Sequence, residues 1–74
     1  MPKLPLVSGK TAIKAFNKMG YRTVRKRGSH FRLHHLKRRP LTIPDCKVLS
    51  KGLLRKLLRD AELSVEEFTN LLKK

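Results

Sequence analysis

Apolar and polar positions change period several times along the chain. Ala12, Ala15, Phe16 and Met19, flanked by Ile13, recur at helical spacing. With Ser8 as N-cap and Gly20 as a left-handed stop, they predict a first helix from Ser8 to about Met19. Lys10, Lys14 and Lys18 form a separate stripe at a spacing of four. Residues 21–27 and 30–36 read as strands, since Tyr, Thr and Val favour them. In the second strand, alternation divides Phe31, Leu33 and His35 from His30, Arg32 and His34. The apolar pair is expected to face the helices and His30 and Arg32 the solvent. Gly28-Ser29 between the strands marks a tight hairpin turn, because glycine accepts the positive φ such a turn needs. Leu41-Thr42-Ile43 predicts a short third strand, ended by Pro44, which cannot donate a ladder hydrogen bond. Leu53, Leu54, Leu57, Leu58 and Ala61 predict a second helix over residues 50–61, capped by Ser50. Gly52, in its first turn, is either a tolerated residue or a point of close approach to a phosphate or the sheet. Ser64 and Glu67 match a capping box, and Leu63 with Phe68 a hydrophobic staple, so a short third helix follows. Residues 1–7, with Pro2 and Pro5, read as an extended lead-in. The order α-β-β-β-α-α predicts an α+β two-layer domain, a three-stranded antiparallel sheet with helices on one face.

Length and charge narrow what such a domain does. At 74 residues, a single domain over 1–74 is expected, with a shallow surface site that suits a polymer better than a metabolite. Lys and Arg number 19 against 5 Asp and Glu, a formal net charge of +14. That points to nucleic acid or an acidic protein partner. The charge is uneven. Asp45 is the one acid in residues 1–59, whereas Asp60, Glu62, Glu66 and Glu67 cluster behind it. The basic face is therefore sought in residues 1–59, and the acidic tail reads as its solvated support. The single cysteine, Cys46, fits a reducing compartment. No apolar run approaches the ~20 residues of a membrane span, and no long apolar leader is seen, so a cytoplasmic protein is expected.

His30 then stands out. It follows the hairpin turn among Arg and Lys, with no carboxylate nearby in sequence. Imidazole both takes and gives a proton near neutrality, and a polyanion with its own nucleophile, the RNA 2′-OH, is what such a setting serves. Arg25, Arg27 and Arg32 are candidate phosphate ligands, since arginine offers a planar fork of donors. The N–H groups of Gly28 and Ser29 are a candidate anion nest. Lys37, Arg38 and Arg39, in a basic loop before Pro40, are candidate contacts to the RNA backbone. The spacing of His30, His34, His35 and Cys46 matches no zinc pattern, so neither metal nor cofactor is expected. A non-catalytic RNA-binding module fits charge and fold as well. DNA readout finds no suitable helix-turn-helix pair.

Several of these residues together resemble the HicA family of toxins from type II toxin–antitoxin modules. They are Ser8-Gly9-Lys10 at the first helix, Gly20-Tyr21 after it, and Arg25-x-x-Gly28-Ser29-His30. Pro44, Lys51-Gly52-x-Leu54 and Leu63-Ser64-x-Glu66-Glu67-Phe68 complete the set. The resemblance implies a fold like a double-stranded-RNA-binding domain. It also implies a metal-independent endoribonuclease that cleaves mRNA and so arrests translation and growth. The histidine of Gly-Ser-His, here His30, is the family's catalytic residue, and the implied partner is an acidic HicB-type antitoxin. One position departs. Many relatives carry a second histidine two residues after the proline, where this chain has Cys46. Any proton-transfer role of that histidine is lost here or passes to His34, His35 or a lysine.

Overall fold

The structure is a computed structural model that describes residues 3–73; Pro2, part of the expected lead-in, lies outside them. Ser8 is extended, and its hydroxyl accepts the Thr11 N–H at 3.1 Å. That satisfies one of the orphan donors at the start of helix α1, Gly9–Lys18. Gly20, at φ +109°, ends the turn that follows. The chain then forms β1 (Arg22–Arg27), β2 (His30–His34) and β3 (Leu41–Pro44). Both pairings are antiparallel, in the order β1-β2-β3. Ser50 caps α2, Lys51–Asp60, through the Leu53 N–H. Helix α3, Val65–Lys73, opens on the expected capping box: Ser64 N–H donates to Glu67 Oε1 and Glu67 N–H to Ser64 Oγ, both at 3.0 Å. The Ser64 N–H and, after it, the Ser64 side chain hold the Glu67 carboxyl below its ordinary range. No described helix is long and apolar enough to cross a membrane.

One face of the sheet is buried. Leu33, Leu41 and Ile43 pack with Phe16 of α1, Leu54, Leu57 and Leu58 of α2 and Phe68 of α3. Phe16 meets Tyr21 edge-on at 5.7 Å and Phe68 at 5.3 Å. The C-terminal segment is therefore more than a solvated support: its Glu62, Glu66 and Glu67 are exposed, but Phe68 is wholly buried. Tyr21, expected at the start of the first strand, lies just before β1 as a core residue. Its hydroxyl donates to the Arg39 carbonyl at 2.7 Å, and burial, partly opposed by Arg38, raises its pKa.

β2 ends two residues earlier than the alternation predicts. His35 leaves the ladder half-buried, its ring 4.9 Å from that of Tyr21. Its Nδ1 accepts the Lys37 N–H at 3.0 Å, and its Nε2 lies 3.2 Å from the Met19 carbonyl oxygen. This pairing makes Nε2 the protonated nitrogen. The chain turns out of the sheet here, and Leu36 is fully exposed. The glycine that permits close approach is Gly9. A Cβ there would overlap the Pro44 carbonyl oxygen, and the Gly9 N–H donates to the Cys46 carbonyl at 2.9 Å. A Cβ at Gly52 would meet open space, so close contact with the sheet does not explain that residue.

Candidate active site

The β1–β2 hairpin closes on two residues, with Arg27 paired to His30. Gly28 takes φ +60°, as a two-residue turn requires at its first central position. The Ser29 carbonyl accepts the Asp45 N–H at 2.6 Å, which ties the turn to the end of β3. His30 also pairs with Pro44 on its other side. The exposed imidazole thus stands on a backbone fixed from both flanks, and behind Pro44 lies the start of α1 at Gly9.

A β-bulge decides which cations share its face. Thr23 pairs with Leu33, but Arg25 pairs with Arg32, so Val24 is an extra residue in β1. Counted by strict alternation from Arg22, Val24 and Lys26 would take the outer face. The additional residue shifts the phase, and Arg25 and Arg27 point outward beside Arg32 and His30. Lys26 goes to the other face, where its Nζ lies 5.1 Å from the centre of the Phe31 ring. The outer face forms a shallow groove of about 690 Å³ whose lining includes Val24, Arg25, Arg27, His30, Arg32, His34 and Thr42. Arg32 Nη1 donates to Thr42 Oγ1 at 2.7 Å, which holds that guanidinium at the middle of the groove.

The structure therefore brings together His30, Arg25, Arg27 and Arg32, with Gly28 and Ser29 at one end. It does not bring Lys37, Arg38 and Arg39 to them. That loop follows the opposite end of β2, beyond a strand of five residues, on the order of 17 Å from the turn. Arg38 is engaged within the fold: its Nη1 donates to the Ala61 carbonyl at 2.6 Å and lies 3.4 Å from that of Glu62. It satisfies carbonyls at the end of α2, where a positive charge is favourable. Lys37 and Arg39 are exposed but line no part of the groove. Cys46 is half-buried, its thiol donating to the Val48 carbonyl at 3.4 Å. Thr42 joins the groove without having been singled out in the sequence, and His34, which the sequence offered only as one alternative heir to a second histidine's role, joins it too. Alternation in β2 carried the signal for His34, and cross-strand pairing with Arg32 places Thr42.

Chemically, the groove offers three guanidiniums, the His30 imidazole at a constrained turn, a second imidazole on His34 and the Thr42 hydroxyl. Such a surface suits a phosphodiester backbone. None of the curated proteins compared matches the chain. Against models of known families, residues 9–63 match the HicA toxin of bacterial toxin–antitoxin. The match opens with the first residue of α1, takes in the whole sheet and α2, and stops before α3. With the hairpin, its histidine and most of the fold inside that span, this chain belongs to the HicA family of toxins from bacterial toxin–antitoxin modules.

Proposed function

We propose that this toxin is a metal-independent endoribonuclease that cleaves mRNA through His30 and thereby inhibits translation and growth. The observation that carries the reading is the placement of His30: exposed, braced between Arg27 and Pro44, and on one face with Arg25, Arg27 and Arg32. RNA brings its own nucleophile. The 2′-oxygen attacks the adjacent phosphorus, a base removes its proton, and an acid protonates the departing 5′-oxygen. General acid–base help of this kind contributes roughly 10²- to 10⁴-fold. Fixed cations stabilise the charge that gathers on the phosphorane without reorganising as it forms. The arginines bind the non-bridging oxygens, and the N–H groups of Gly28 and Ser29 add donors at the turn. His30 takes part in the proton transfer.

The partner is an acidic HicB-type antitoxin, whose task on this surface is to cover His30 and neutralise the outer face. Its carboxylates face Arg25 and Arg32, or the exposed Lys37 and Arg39, and complementary charge of that kind chiefly sets partner choice and association rate.

The test is cleavage of a labelled single-stranded mRNA fragment by the purified chain in excess EDTA. The wild-type chain should cut it. His30→Ala should lose about 10²-fold or more while retaining RNA binding and the wild-type circular dichroism spectrum. Undiminished cleavage by the variant refutes the role of His30. RNA binding without cleavage by the wild-type chain makes the protein a non-catalytic RNA-binding module.

A further inference from the structure

Cleavage by this route needs two proton-transfer groups, and His30 is one. The groove holds a second imidazole. His30, Arg32 and His34 are alternate residues of β2 and are all exposed on its outer face. Their partners repeat the pattern: His30 lies opposite Arg27, Arg32 opposite Arg25, and His34 opposite Arg22. A phosphate held by Arg32 thus has an imidazole on either side along the strand. Four residue steps along the strand separate the two histidine Cα atoms by about 13 Å, a span that inward-leaning side chains must shorten. Val24 is inserted in β1 opposite the step from Arg32 to Leu33, midway between the histidines, and a bulge increases the local right-handed twist of the strand pair. The resulting groove is lined by both rings.

The competing groups are engaged elsewhere. His35 is bonded through both nitrogens, near the Met19 carbonyl and the Lys37 N–H, and its ring lies tilted against that of Tyr21. The Cys46 thiol donates to its own loop. Lys26 sits over Phe31 on the opposite face. The polar groove side chains other than the two histidines are guanidiniums and the Thr42 hydroxyl. Neither type exchanges protons readily near neutrality, whereas imidazole does.

We propose that His34 is the second proton-transfer group, paired with His30 across a phosphodiester held on Arg32. The assignment rests on the ribonuclease reading above. One imidazole, neutral, takes the 2′-OH proton as the bond from the 2′-oxygen to phosphorus forms. The other, protonated, gives its proton to the 5′-oxygen as the bond from phosphorus to that oxygen breaks. The products are a 2′,3′-cyclic phosphate and a 5′-hydroxyl end. The two rings have then exchanged protonation states and reset through solvent.

The experiment compares wild type, His30→Ala, His34→Ala and His34→Gln on two substrates across pH. One is an RNA oligonucleotide. The other is a uridine 3′-aryl phosphodiester, whose phenolate leaves without needing a proton. The wild-type profile on RNA should be bell-shaped. Both His34 variants should lose about 10²-fold or more on RNA, keep the wild-type melting temperature, and lose one limb of the bell. If His34 is the acid, the alkaline limb disappears and aryl cleavage stays near wild type. If it is the base, the acidic limb disappears and both substrates are lost. RNA cleavage within a few-fold of wild type overturns the assignment. So does an equal loss on both substrates with both limbs retained, since that marks a residue that only binds phosphate or holds shape. If wild type cuts neither substrate, or His30→Ala cuts both undiminished, the ribonuclease reading itself has failed and this assignment falls with it.

Discussion

Arg25 and Arg38 both belong to basic runs, yet replacing each by glutamine should cause opposite kinds of loss. Arg25 faces the groove beside Arg32 and carries no structural duty in the core. Arg38 holds the Ala61 and Glu62 carbonyls at the end of α2. Each phosphate neutralised on a single strand contributes about −0.7 to the slope of log K against log salt, so contacts from Arg25, Arg27 and Arg32 give roughly −2. Arg25→Gln should make that slope shallower by about 0.7 and leave the melting temperature unchanged. Arg38→Gln removes a charged hydrogen bond, typically about 1.5–3 kcal/mol, and leaves carbonyls without a partner. For a domain of this length that is a fall on the order of 10 °C in melting temperature, with the salt slope kept. The assays are anisotropy of a labelled single-stranded RNA between about 50 and 200 mM salt, on a His30→Ala background that prevents cleavage, and thermal melts by circular dichroism. If Arg38→Gln flattens the salt slope as Arg25→Gln does, without loss of stability, the division drawn between them is wrong.

Phe68→Ala should cost about 3–5 kcal/mol, because the ring is wholly buried against Phe16. A chemical denaturation midpoint close to wild type would show that α3 is dispensable. Gly9→Ala should lower stability by about 1–3 kcal/mol, since its methyl group meets the Pro44 carbonyl oxygen; an unchanged melting temperature would contradict that contact. Glu67 binds its proton less readily when folded than when unfolded, because Ser64 hydrogen-bonds the carboxylate. Its contribution is therefore complete above the ordinary carboxyl value of 4.5 and fades as pH falls through the lower folded value. Melting temperatures of Glu67→Gln should accordingly lie below wild type at neutral pH and converge with it in acid. A gap that persists in acid would argue against the capping bond.

Much of this architecture is legible along the chain because the physics is local. Ser8, Ser50 and Ser64 cap helices through side chains that reach three residues ahead. Gly28-Ser29 fixes the hairpin, and alternation in β2 divides Phe31 and Leu33 from His30, Arg32 and His34. What stays hidden depends on distant partners. Nothing in the basic run around Arg38 foretells that its guanidinium meets α2, 23 residues further on. His35 reads as one more strand residue until Tyr21 and Met19 fold beside it. Gly9 matters because β3 arrives against it, whereas Gly52, more conspicuous within its helix, has open space around it. The composition of Arg22–Arg27 carries no mark of an inserted residue, so the site was legible as a set of cations and illegible as an ordered face.

That insertion has a consequence for how β1 tolerates change. Excising Val24 would restore an even ladder and still present Arg25 and Arg27 beside the imidazole, on a flatter sheet. Excising Arg27 instead, with the spare residue taken up into the ladder, would bring Lys26 opposite His30 and turn Arg25 inward. The anion would then find an ammonium where it had met forked donors, a compact point charge in place of a planar clamp. The spare residue thus lets the strand lose one position and keep its ladder, but which position is lost decides the kind of cation the surface presents.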